Sequence, residues 1–210
     1  MTGMDRNIDR NRHAQTPQLG RVSLSVRVLE PLLLHLKARG RDSSAFLKTH
    51  GVDPAIFRDP EGRLPHTVAV SLWPAATQLT NDLDLGLHVA EGIRPGAYGA
   101  LGYALRTSEN FGMSLQRLCR YHRVFHDAAE VQLTVRGENA ILSHRLSVPG
   151  GVPRAVSEYI VAAWLITSRQ AAGVRWIPIE ARFPHSTPEN TSEHRRLFGC
   201  TLKFGHDAAN

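Results

Sequence analysis

A chain of 210 residues carries enough sequence for one well-filled core and too little for two ordinary domains. With 42% hydrophobic and 21% charged residues, and no apolar run of about 18 residues, it is neither a membrane-spanning nor a disordered chain. Of the formal net charge of +6, half sits in residues 1–27, where Arg6, Arg10, Arg12, Arg21 and Arg27 face only Asp5 and Asp9. The body is therefore mildly basic, which argues weakly for nucleic-acid contact.

Residues 1–27 show no helical or strand period and no apolar signal core, so they are expected to form a disordered basic tail. From Val28, Leu29, Leu32, Leu33 and Leu36 recur at helical spacing, with Pro31 in the first turn and Gly40 as a stop. Asp42 and Asp53 each stand where they can cap a further short helix. Residues 67–80 carry Val68, Leu72, Trp73, Ala76 and Leu79 on one stripe, and Pro74 is expected to kink that helix or delay its start. Asp82 or Asp84 can open the next helix, 85–91, after which Gly96, Gly99 and Gly102 mark a loop and close backbone packing. GAYGALG is not a dinucleotide fingerprint, because the segment before it is helical and the first G-x-G is missing.

Residues 112–125 predict an amphipathic helix that clusters Met113, Leu115, Leu118, Tyr121, His122 and Phe125. Strict alternation of Val131, Leu133 and Val135, a Gly137-Glu138-Asn139 turn, and alternation of Leu142, His144 and Leu146 predict an antiparallel hairpin. Residues 153–172 form a helix so apolar that it must be largely buried, ended by Gly173. Strands at 179–183 and 201–204 flank a helix at 191–197. Without strand-helix-strand alternation the chain reads as α+β. It is expected to be a helix-rich single domain over 28–210, with a small antiparallel sheet of about four strands covered by helices.

Cys119 and Cys200 lie far apart with no CxxC partner, as expected of reduced thiols in a cytoplasmic protein. His122 and His126 stand at i, i+4, a spacing that can share a metal, but no third ligand is identifiable nearby and no metal or other cofactor is assigned. No P-loop, G-x-S-x-G, H-E-x-x-H or paired-carboxylate signature is present, so the chain is not read as an enzyme. Instead, aromatic and polar groups ride on apolar elements. Tyr98, Tyr103, Tyr121, His122, Tyr159 and Trp164, with Arg106, Arg120 and Arg169 as carboxylate or phosphate partners, are the candidate ligand-binding residues.

LWPAATQLT, DLGLHVAEGIRPGAYGALGYALRTSENFGMSLQRLCRYHRVF, the hairpin, FPHSTP and the closing EHRRLFGCTLKFG occur in an order that resembles the amino-terminal effector domain of AraC/XylS-family transcription regulators, arabinose-binding type. The most specific pieces are GALGYALRTS and RRLFGC-x-L-x-FG. The resemblance implies a small-molecule effector, a homodimer formed through this domain, and DNA contact only through a C-terminal helix-turn-helix domain that is absent from this chain, which stops at Asn210. Two alternatives stay open: a partner-regulated interaction or dimerisation module, and a small enzyme using His122 and His126. An enclosed cavity, an exposed apolar patch, or perturbed titratable groups in a cleft would separate the three.

Overall fold

The computed structural model describes residues 22–146, 148 and 151–205. Residues 1–21, most of the expected tail, lie outside this range. Val22 to Arg27 do not belong to a tail. Val22, Leu24, Ser25 and Val26 are buried, so the folded body already includes them, ahead of Val28. Ser23–Ser25 form strand β1, antiparallel to β2 (Arg63–Pro65), and a 3-10 turn follows over Val26–Val28. On its other side β1 meets the segment around His126: Leu24 bridges to His126, and Ser25 N–H donates to the Phe125 carbonyl at 2.8 Å. Three residues are too few to show a period in sequence, and pairing on both edges is what holds them extended.

The first helices are α1 (Glu30–Ala38) and α2 (Ser43–Thr49). Asp42 caps α2 as expected, accepting from the Ser44 and Ala45 amides at 2.8 and 3.1 Å. Helix α3 (His66–Thr80) runs through Pro74 as one continuous segment and ends at Asn81 in the left-handed conformation. Helix α4 (Leu85–Glu91) then packs along α7 (Arg154–Ala172), the long buried helix. Gly86 lets them meet: a Cβ there would lie 2.2 Å from the Ala155 carbonyl oxygen. Arg154 locks the pair from the side, bonded to Asp84 at 2.5 Å and Glu158 at 2.7 Å.

The glycine-rich stretch read as a loop is partly helical, as α5 (Gly99–Arg106). Gly102 is buried there with the Tyr98 Cβ within 3.3 Å of where its own Cβ would stand, so the glycine serves packing without breaking the helix. Helix α6 (Phe111–Tyr121), capped by Asn110, gives way at His122–Val124 to a 3-10 turn. The hairpin follows as β3 (Ala129–Arg136) and β4 (Asn139–Leu146) in full antiparallel register. Helix α8 (Ser192–Phe198) connects β5 (Glu180–Phe183) to β6 (Thr201–Phe204).

The α+β class stands, but the strands do not join into one sheet. Among the described residues they form three separate pairs, and β5 and β6 run parallel because α8 crosses between them. One apolar core runs through α1, α3, α4, α7 and α8, from Leu29, Leu32 and Leu36 through Leu72, Leu85 and Leu87 to Phe183 and Phe198. None of the described helices is long and apolar enough to cross a membrane.

Candidate functional site

Helix α7 crosses the middle of the molecule and touches α3, α5 and α6 along its length. Where α5 begins, Tyr98 reaches Tyr159 of α7 with their hydroxyl oxygens 2.9 Å apart. The Tyr159 ring packs on Trp73 of α3 at 4.7 Å, and the Tyr98 ring on Phe125 at 5.3 Å. Burial pushes the Tyr98 phenol up to about 12 and raises that of Tyr159, so both stay neutral hydroxyls that can exchange donor and acceptor roles.

Beside this pair lie histidines from three elements. The Ala128 N–H donates to His126 Nδ1 at 3.1 Å, so the neutral His126 ring carries its proton on Nε2 and donates to His66 Nδ1 at 2.9 Å. His144, inward-facing on β4, meets the Trp164 ring edge-on at 6.0 Å. Burial is the main force that drives His126 and His144 down to about 4 and also lowers His66; neighbouring imidazoles add to it for His126 and His144. All three rings are neutral at physiological pH. At the rim, Asp127 accepts from the Ser23 amide and hydroxyl and pairs with Arg63 at 2.5 Å, tying β1 and β2 to the end of the 3-10 turn.

Of the nine residues expected to bind ligand, Tyr98 and Tyr159 are paired, and Trp164 stands in the same region through His144. His122 is nearby, but backbone occupies both ring nitrogens: Nδ1 faces the Cys119 carbonyl at 2.7 Å and Nε2 that of Ala129 at 2.5 Å. With His126 committed to His66, the i, i+4 histidines do not share a vacant position. Tyr103 and Tyr121 are 63% and 44% exposed, and the Arg120 guanidinium lies over the outer Tyr121 ring at 5.4 Å. Arg106 is half-buried near the end of α5. Arg169 is spent on structure, donating to the Trp176 and Leu197 carbonyls at 2.9 and 3.1 Å.

Sequence reasoning missed His66, Trp73 and Phe125 as members of this junction. His144 had a usable signal, its place between Leu142 and Leu146 on the inward face of a strand. A surface cleft of about 410 Å³ lies elsewhere, lined by Thr187, Thr191, Arg195, Cys200, Leu202 and Phe204. Cys119 and Cys200 are free thiols, and burial raises the pKa of each.

The family comparison falls on the segment that carries this junction. Residues 40–210 match the family described as the arabinose-binding domain of AraC transcription regulator, N-terminal. The chain belongs to this family. It is also similar to the ornithine utilization regulator of Pseudomonas aeruginosa, with 26% identity over 176 residues, 83% of this chain. The chain spans about half of that relative's length, 52%.

Proposed function

We propose that the chain is the effector-sensing and dimerising domain of an AraC-type regulator, and that its effector binds where α5, α7, the end of α6 and the β3–β4 hairpin meet. Membership of the arabinose-binding family over residues 40–210 carries this reading. The pairing of half-buried Tyr98 with buried Tyr159 and the neutral His66, His126 and His144 rings support the location, since they place adaptable polar groups among Trp73, Phe125 and Trp164. An effector that prefers one packing of the hairpin against α7 would shift its population, and a C-terminal DNA-binding domain of the full-length regulator would read that shift.

The relative's name directs the first choice of effector to ornithine and other amino acids, followed by organic acids, fatty acids and sugars. In a thermal-denaturation panel, a true effector at 100 times its Kd adds about 2.7 kcal/mol, a rise of roughly 5–10 °C in Tm for a domain of this size. Trp164→Ala is expected to abolish that rise while leaving the dimer intact in sedimentation velocity. A flat response across the panel counts against sensing. It would favour a partner-controlled interaction module, for which exposed Val174, Ile177 and Ile179, at 61, 61 and 76%, already offer an apolar surface.

A further inference from the structure

Glu158 on α7 is a carboxylate with no solvent exposure, and such a group needs a full set of donors or a cation. Arg154 Nε and His194 Nε2 both reach Oε1 at 2.7 Å, which leaves Oε2 buried without a hydrogen-bond partner. His185 Nε2 and His194 Nδ1 are buried and unpartnered in the same way. His185 Nδ1 donates to the Ser186 carbonyl at 2.9 Å, so in the neutral ring Nε2 is a bare lone pair. That lone pair stands 3.4 Å from Glu158 Oε1. With the proton on Nδ1, the Nε2 and Oε1 lone pairs face each other and repel. A cation between the two acceptors would turn the repulsion into attraction.

We propose that Glu158, His185 and His194 form a binding site for a divalent transition-metal ion of the zinc class. One ligand atom from each lies within 4.8 Å of the others. Tetrahedral zinc at about 2.0–2.2 Å from nitrogen and oxygen sets its ligands about 3.3–3.6 Å apart, close to the 3.4 Å already separating His185 Nε2 from Glu158 Oε1. Two imidazoles and one carboxylate suit a borderline ion, and three protein ligands leave a fourth position for water. The surroundings fit as well. His185 is oriented by a backbone carbonyl, and Arg154 fixes the Glu158 carboxylate while Asp84 balances its charge. On binding, the neutral His194 ring carries its proton on Nδ1 instead of Nε2, and Nε2 turns its lone pair to the ion, so the ring loses no proton overall. The ion would tie α7, the segment after β5 and α8 together. The proposal stands apart from the effector reading, whose residues point from other faces of α7.

The test is titration of the chelator-treated full chain with Zn2+ by calorimetry and with Co2+ by visible absorption. One equivalent should bind, with the ligand-field bands of tetrahedral Co2+. His185→Gln, at a position whose side chain is 13% exposed, should weaken Zn2+ binding on the order of 100-fold, whereas His126→Gln in the other histidine cluster should leave it unchanged. Absence of stoichiometric binding of either ion by the unaltered chain overturns the proposal. So does Zn2+ affinity that is the same in His185→Gln.

Discussion

His126 Nε2 lies 2.9 Å from His66 Nδ1, and the Ala128 amide on the far side of the His126 ring decides that His126 is the donor. The hydrogen bond joins the first residue of α3 to the segment linking α6 with the hairpin, and acceptance from the Ala128 amide at Nδ1 requires a neutral His126. His66, His144, Asp127 and Arg63 all bear on that ring, with burial the largest influence.

Stability should therefore depend on pH with a definite sign. The folded pKa values of His126 and His144, about 4, lie below the ordinary 6.5, so the unfolded chain takes up protons that the native one refuses. The histidine contribution is fully present above 6.5 and is lost as pH falls toward about 4. Thermal denaturation across this window should show Tm declining from just below 6.5, before carboxylates begin to protonate. A His126→Gln chain that retains the full slope would show the titration to lie elsewhere.

Tyr98→Phe and Tyr159→Phe each leave the partner hydroxyl buried and unpaired, at a cost of about 1–3 kcal/mol. Removing both hydroxyls removes the penalty along with the bond. In urea denaturation the double variant should be no less stable than the worse single one; additive losses would mean that the two hydroxyls do not depend on each other.

Gly86→Ala sets a methyl against the Ala155 carbonyl, where a flexible side chain could not simply move aside. The expected destabilisation is about 1–3 kcal/mol, even though alanine is the better helix former. An unchanged urea midpoint would contradict the closeness of α4 and α7.

Arg154→Met takes the guanidinium from Asp84 and Glu158 together. Because Glu158 is fully buried, the loss should approach about 3 kcal/mol, toward the lower end for a broken buried pair since Arg154 is itself 31% exposed. Equilibrium unfolding checks it, and an Asp84→Asn chain, which keeps Arg154 on Glu158, should lose less.

The long-period features were legible in the chain. Helix α7 announced itself by its apolar length, the β3–β4 hairpin by strict alternation around Gly137, and α2 by the Asp42 cap, since each of these signals acts between neighbours a few residues apart. Strand β1 did not, because Ser23–Ser25 become a strand only between β2 and the His126 segment, partners distant in sequence. The parallel pairing of β5 with β6 was hidden for the same reason.

The candidate residues divide along the same line. Tyr98, Tyr159 and Trp164 could be picked out as polar-tipped aromatics on apolar helices, and the α+β class and family resemblance were readable in the order of motifs. Sequence spacing could not tell them from Tyr103 and Tyr121, which sit on the outer faces of α5 and α6. Nor could it bring Glu158, His185 and His194 together from three different elements. Local patterns specify which face of an element is apolar. Which distant polar groups end up sharing a buried space is decided only when those faces pack, because only packing removes the water that had kept each group satisfied alone.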